Sequence, residues 1–454
     1  MKNALAIILL MLNGAVIAQN YPVGHTTITF NDPARTGGFG SGGGTGRQIQ
    51  TEIYYPATSA GDDTPFAATT APVIVFGHGF VMSWDAYMNL VDHFVPLGYI
   101  LAFPRTEGSF TPDHLDFGKD LVIVGNRMEQ ENTNSSSIFY NKYNGKKGVM
   151  GHSMGGGATF LAAAESNASF DLAVGLAPAE TNPSAVTAAA NNTLPGIILS
   201  GSGDAVTPPA NHHDLIYNSW ASACKTFVSI TGGAHCYFAN SNLNCDFGEA
   251  TSGGNITIDR TTQHDITFDI LDPYLAFHLK GTCSSWNDFL NVLQTDNRFV
   301  ENNACAYQLP NTPIISQNGT QLNSSLNGDL QWFLNGNLLN GETNQSINWT
   351  QYGAGNFTVE LSDSVPCSAT SAPFTPTLSI SEESISFSVQ PNPFHEELSI
   401  FSEKQIPVGI YNSVGQLLME VTVQGETKIS TAFLKPGMYF LKSNSGHILT
   451  LIKQ

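Results

Sequence analysis

The run Val149-Met150-Gly151-His152-Ser153-Met154-Gly155-Gly156-Gly157, followed by Thr159-Phe160-Leu161-Ala162-Ala163-Ala164, limits the possible folds of this chain more than any other stretch. An apolar run enters a Gly-x-Ser-x-Gly pentapeptide and an apolar run of helical character leaves it, which spells strand, sharp turn, helix. Gly151 and Gly155 are required there because a Cβ at either position would collide with the neighbouring strand or helix. The turn pushes the Ser153 side chain into a strained, exposed position, beside the N–H groups and positive dipole end of the helix that follows. Ser153 is therefore a candidate nucleophile; the plain structural alternative is a glycine-rich turn that packs a helix on a sheet.

The flanking sequence supplies the sheet that such a turn needs. Ala71–Phe76, Tyr99–Phe103, Lys146–Gly151, Leu172–Leu176, Gly196–Ser200 and Lys225–Thr231 read as short apolar strands, the first of them buried on both faces and the last closing the series. His25–Phe30 reads as a strand before a glycine-rich loop, and the alternation over Ile49–Tyr55 reads as an edge-type strand. Helical spacing occurs at Trp84–Val95, Asp116–Gln130, Pro209–Trp220 and Arg260–Lys280. Strands alternating with helices predict a doubly wound, mainly parallel α/β sheet, with its chemistry at the carboxyl ends of the strands.

The chain of 454 residues is too long for one average domain. Near residue 306 helical periodicity stops. Leu330–Leu334 and Asn356–Leu361 read as short alternating strands, with Asn335-Gly336 as a hairpin turn, so 307–383 is expected to be an immunoglobulin-like β module or a linker. From 384 onward strands recur at Leu398–Phe401, Val408–Tyr411, Met438–Leu441 and Ile448–Ile452. At the other end Lys2, the apolar run Ala4–Leu12 and Val16-Ile17-Ala18 read as an export signal over 1–18, too short to span a membrane stably. Charged residues are only 12% of the chain and the net charge is −19, which disfavours nucleic acid and anionic bilayers and favours uncharged substrates. Six cysteines in an exported chain imply disulfides, and short loops favour Cys236–Cys245 and Cys283–Cys305. Without a His-Glu-x-x-His or four-cysteine pattern, no metal or cofactor is expected.

A serine hydroxyl needs a base, and the base needs an orienting carboxylate, which in a doubly wound sheet follow the serine in the order acid, histidine. Asp204 is the acid candidate, on a glycine loop after the strand at Ile197; Asp171 is the rival, at the wrong end of a strand. His235 is the base candidate, directly after the last strand in Gly232-Gly233-Ala234-His235. His212 and His213 fall in a stretch of helical spacing, His152 belongs to the turn itself, and His264 and His278 lie in a later helix. The oxyanion donors are expected to be the backbone N–H groups of Met154 and Phe80, with His78 structural.

Gly151-His152-Ser153-Met154-Gly155, the upstream Gly77-His78-Gly79-Phe80 and the loops Asp204-x-x-Thr207-Pro208 and Gly233-Ala234-His235 resemble the cutinase-like polyester hydrolases of the α/β-hydrolase superfamily, over about residues 19–306. The resemblance implies that Phe80 and Met154 also contact substrate. It further implies a tryptophan after the strand at Leu172, where this chain has Ala179 followed by Glu180; Trp84 and Tyr237 are the candidates for a substitute. The brief 178–195 segment leaves no room for a helical cap, so an open site is expected. Gln390-Pro391-Asn392-Pro393-Phe394, Ile410–Gln416, Leu434–Leu441 and Leu451-Ile452-Lys453 resemble the sorting domain of type IX secretion cargo, which implies that 384–454 engages that machinery on the way to the surface or medium. The expected protein is thus a secreted, monomeric serine ester hydrolase acting on esters including polyesters. A lipase or acetyl-ester esterase, a peptidase on the same fold, and a non-catalytic adhesin or carbohydrate-binding protein are the alternatives.

Overall fold

The computed structural model describes residues 20–362, 365–377, 387–444 and 446–454. The export signal expected at 1–18 lies outside these. Contacts divide the chain into two compact units, one running to Ser316 and including Leu322–Ile347 and Tyr352–Phe374, the other holding Thr375–Gln454 with Gln317–Gln321 and Asn348–Gln351.

The first unit is built on one sheet. Its strands are β1 Val23–Asp32, β2 Arg47–Pro56, β3 Ala71–Gly77, β4 Ile100–Pro104, β5 Tyr143–His152, β6 Leu172–Leu176, β7 Gly196–Gly201, β8 Lys225–Ile230 and β9 Phe299–Asn303. They lie in the order β9-β8-β7-β6-β5-β3-β4-β2-β1, with two-residue segments at Gly38–Phe39 and Gly61–Asp62 alongside β2 and β1. The strands from β8 to β4 are parallel; β2 and β1 at one side and β9 at the other are antiparallel. This is the doubly wound, mainly parallel sheet expected from the strand–helix alternation, and it agrees with the α/β-hydrolase fold that the resemblance implied.

Alternation within the buried strands sorts side chains to two cores. Ile74, Phe76 and Leu101 join α1 (Met88–Phe94), α7 (Arg260–Lys280) and α8 (Ser284–Thr295) on one face. Val73, Val75 and Ala102 join α2 (His114–Glu131), α3 (Met154–Ala163), α4 (Ala185–Ala189) and α5 (His213–Ser219) on the other. Both cores need an apolar residue at every position, which explains why these strands read as unbroken apolar runs.

Three expectations for this unit fail. The strand at 49–55 is not at an edge: β1 pairs along its full length and β4 pairs on its other side. The strand at 225–231 is not the last, because β9 adds to it antiparallel; Glu301-Asn302-Asn303 carries too little apolar character to be seen. Cys283 pairs with Cys367 rather than Cys305, and Cys305 pairs with Cys224, which joins the start of β8 to the exit of β9. Cys236–Cys245 forms as the short loop suggested.

Also in this unit, Asp329–Leu334, Asn337–Leu338, Phe357–Ser362 and Ser368–Thr370 form an antiparallel sheet. Its hairpin turns at Asn335 (φ 51°) and Gly336 (φ 79°), the left-handed pair that a two-residue turn demands. In the second unit, Ser388–Gln390, Glu397–Asn412, Leu417–Ser430, Gly437–Ser443 and Ile448–Lys453 form a five-stranded antiparallel sheet. The two strands expected at 398–401 and 408–411 are one, interrupted by a register shift between Ser402 and Ile406.

Candidate active site

The site is assembled where β3, β5, β7 and β8 end. Ser153 sits between β5 and α3 with φ 56° and ψ −119°, a conformation that L-residues hold only when their surroundings enforce it. The enforcement is visible. Ser153 N–H donates to the Leu176 carbonyl at 2.9 Å, and its own carbonyl accepts from Ala179 N–H at 2.8 Å and Gly157 N–H at 3.0 Å. A Cβ on Gly151 would lie 2.2 Å from the Gly155 carbonyl oxygen, and one on Gly155 would lie 2.0 Å from the Gly77 oxygen. The glycines let α3 press against the ends of β3 and β5.

Asp204 follows β7 and His235 follows β8, as their positions after apolar runs implied. His235 Nδ1 donates to Asp204 Oδ2 at 2.8 Å, and both side chains are buried. Asp204 Oδ1 accepts from the backbone N–H of Val206 (2.9 Å) and Thr207 (2.8 Å), and Thr207 Oγ1 lies 2.9 Å from Oδ2. Burial pushes this carboxyl up, but hydrogen bonding and charge from His235, with the Thr207 amide, outweigh it and hold the group below its ordinary value. Among the described residues, no hydrogen bond joins Ser153 Oγ to His235 Nε2; such contacts tighten in substrate complexes.

Two further rings shape the site. The fully buried His152 accepts at Nδ1 from Tyr87 Oη (2.9 Å) and donates from Nε2 to the His235 carbonyl (3.0 Å). Tyr87 Oη in turn accepts from Gly79 N–H at 2.8 Å. One chain of hydrogen bonds therefore links the loop after β3, the serine turn and the histidine loop. Desolvation drives the His152 pKa well down, with the His235 ring adding to it, so His152 is neutral. His213 pairs with Ser200 Oγ (2.8 Å) and Thr207 Oγ1 (3.0 Å), and burial pushes its pKa to about 3. Gln263 grips both polar groups of Ala234, at 2.8 and 2.9 Å, and Glu249 Oε2 accepts from Cys236 N–H at 2.6 Å, so the histidine loop is held on both sides.

The remaining candidates separate cleanly. Asp171 takes Lys146 Nζ at 2.7 Å and Lys147 N–H at 2.8 Å, at the opposite end of β5. His78 anchors its loop to the Thr106 carbonyl at 2.9 Å. His212 Nδ1 accepts from Glu180 N–H, and His264 reaches the Ala239 carbonyl. The Met154 and Phe80 N–H groups have no acceptor among the described residues. An open cleft of about 370 Å³ is lined by Phe80, Met154, Ala179, Val206 and Thr207 above Ser153, which is 8% exposed and forms its floor rather than facing bulk water. Neither Trp84 nor Tyr237 lines it: Trp84 stacks near Tyr54 and His25, and Tyr237 lies under Arg260. Between β6 and β7 only α4, five residues long, intervenes.

Neither Thr207 nor His213 stands out in the sequence as a site residue. Thr207 stood inside the Asp204-x-x-Thr207-Pro208 loop, but nothing local says that its hydroxyl touches three groups. His213 is helical as its spacing predicts, the first residue of α5, and its Nε2 lies 3.7 Å from Asp204 Oδ2.

The chain is similar to known proteins in two regions. The family described as "PET hydrolase-like" matches residues 20–251, and the "Secretion system C-terminal sorting domain" matches 388–454, marking the chain for secretion or surface attachment. A bis(hydroxyethyl) terephthalate hydrolase of Streptomyces coelicolor is 29% identical over 198 residues, 43% of this chain and 56% of that protein. Cutinase est1 of Thermobifida alba is 26% identical over 209 residues, 44% of this chain and 60% of that protein. The chain thus spans less than two thirds of the length of either relative. With its family match covering just over half of all residues and including the serine turn, the chain belongs to the PET hydrolase-like family.

Proposed function

We propose that the protein is a secreted carboxylic ester hydrolase that cleaves uncharged esters, polyesters included, through an acyl-enzyme on Ser153. Ser153 Oγ attacks the ester carbonyl while His235 Nε2 takes its proton. Asp204 holds the Nδ1–H and stabilises the imidazolium that forms. The N–H groups of Met154 and Phe80 receive the developing oxyanion. His235 returns the proton to the departing alcohol, then activates the water that releases the acid. The observation that carries this reading is the buried 2.8 Å Asp204–His235 bond beside a serine held at φ 56°. The two amides without acceptors support the oxyanion role. Phe80, Met154, Ala179 and Val206 give the cleft apolar contact, and the Glu180 carboxylate that also lines it, on a chain of net charge −19, disfavours anions, which together support an uncharged substrate.

In this reading 1–18 is a signal peptide, 19–306 carries catalysis, 307–383 is a β module, and 384–454 engages the secretion machinery. The protein works as a monomer. The full chain should hydrolyse p-nitrophenyl butyrate, and Ser153→Ala should lower kcat by about 10⁶-fold if the triad acts as a unit. Retention of most activity in that variant ends the proposal.

A further inference from the structure

Glu249 is a buried carboxyl that the proposed chemistry leaves without a task, although it stands close to the base. It is the one buried residue of helix α6 (Leu243–Ser252). A helix packed on a protein ordinarily buries an apolar stripe; this one buries a carboxyl. The other ties of α6 lead to the same place. Cys245 forms the disulfide to Cys236, the residue after His235. Asp246 pairs with Arg260 Nη2 at 2.5 Å, and Arg260 Nη1 donates to the Cys236 carbonyl at 2.6 Å. Glu249 Oε2 accepts from Cys236 N–H at 2.6 Å. The sulfur, the carbonyl and the amide of one residue are thus all held by α6 or through it, while His152 Nε2 holds the His235 carbonyl at 3.0 Å.

Holding alone needs no charge. A glutamine would offer the Cys236 amide the same acceptor without placing an ionisable group out of water. Glu249 Oε1 has no partner among the described residues, and a buried carboxyl left half unpaired calls for a gain elsewhere. The charged groups around it are His235, Asp204, Asp246 and Arg260, of which Asp246 and Arg260 pair with each other. Burial pushes the Glu249 carboxyl up, the Cys236 amide and a charge on His235 pull it back, and Asp204 pushes it up again. The effect is mutual: where an imidazolium favours the carboxylate, the carboxylate favours the imidazolium equally. We propose that Glu249 is a positioning residue for His235, a second carboxylate that fixes the histidine loop through the Cys236 amide and lends negative charge to the imidazolium formed during the reaction. This rests on the ester hydrolase reading, in which His235 is the base.

The test compares the full-length protein with Glu249→Gln and Glu249→Ala, following kcat and kcat/KM on p-nitrophenyl butyrate across about pH 5–9. Protonating the base stops the reaction, so the acid limb of kcat/KM reports how readily the imidazolium forms. Glutamine keeps the acceptor and removes the charge, so the acid limb should move to lower pH by about 0.5–1 unit. The high-pH plateau should fall by about three- to tenfold, because the transition state loses the same interaction. Alanine also strands the Cys236 amide and should lower the plateau by about tenfold more, in kcat rather than KM. Should the Ala variant fail to fold, the isosteric Gln variant carries the test, with its folding checked by urea unfolding. An acid limb that stays in place in the Gln variant, or moves to higher pH, overturns the inference, since a residue that only holds the loop would leave it unmoved. That outcome on an active wild type leaves the esterase reading standing; a wild type inert to p-nitrophenyl butyrate, or a Ser153→Ala variant that keeps its rate, overturns both.

Discussion

The hydroxyl of Thr207 touches three groups that the proposed chemistry depends on: Asp204 Oδ2 at 2.9 Å, His235 Nδ1 at 2.8 Å and His213 Nε2 at 3.0 Å. A hydroxyl has one proton to give. With His235 Nδ1–H shared towards Asp204, and with Ser200 Oγ donating to His213 Nδ1, His213 Nε2–H donates to Thr207 and Thr207 donates to the carboxylate. Replacing Thr207 by Val keeps the shape and removes this relay. A hydrogen bond to a charged group contributes about 1.5–3 kcal/mol, and the stranded His213 N–H adds about 1–3 kcal/mol of desolvation cost. Stability should therefore fall by about 2.5–6 kcal/mol. The effect on rate is bounded differently. Asp204 keeps the amides of residues 206 and 207 as well as the His235 ring, so at most one charge-assisted bond is missing from the transition state. At 1.4 kcal/mol per tenfold, that is roughly a 10- to 100-fold loss of kcat. Asp204→Asn, which disturbs the tautomer of the imidazole, should cost about 10⁴-fold. The measurements are kcat and KM on p-nitrophenyl butyrate and urea unfolding of the same preparations. Thr207→Ser, which keeps the hydroxyl, should return within about threefold of wild type. A Val variant with wild-type rate and stability, or a Ser variant as impaired as Val, would refute the relay.

Two other outcomes follow from the same network. Tyr87→Phe leaves the buried Gly79 N–H and His152 Nδ1 without partners, so it should cost about 2–4 kcal/mol in urea unfolding and about tenfold in kcat as the Phe80 loop loosens; a silent variant would show that the three loops are held independently. Burial depresses the pKa of His78, His152, His213 and His278, the last two to about 3, so all four are neutral in the folded chain while the unfolded chain takes up protons below pH 6.5. Stability is fully present above that pH and should decline below it, by up to about 1.4 kcal/mol per pH unit for each ring. The raised carboxyls of Glu249 and Asp120 offset part of this, whereas Asp204, held low, weakens the fold only below its own ordinary range. Urea titrations at pH 7, 6 and 5 should report a net uptake of about two to four protons on unfolding, and a midpoint that does not move would refute the assignment.

Much of this protein is written in local sequence. Val149 to Ala164 encodes strand, turn and helix through apolar periodicity and glycines that tolerate no Cβ. Each buried strand announces itself because both faces of the sheet are covered. The placement of Asp204 and His235 at neighbouring strand ends was legible because each follows such a strand, and the parallel topology brings those ends together. Cys236–Cys245 was legible because nine residues separate its partners. Tertiary structure alone decided the rest. Cys224–Cys305 and Cys283–Cys367 join residues 81 and 84 positions apart, so their pairing depends on how whole elements pack. β9 gains its place from the edge that β8 offers, not from its own polar sequence. Thr207, His213, Tyr87 and His152 acquire their roles from rings and hydroxyls that meet across loops far apart in the chain. Periodicity reports which face of an element is buried; it carries no record of which polar atoms on different elements come within hydrogen-bond distance once those faces are packed.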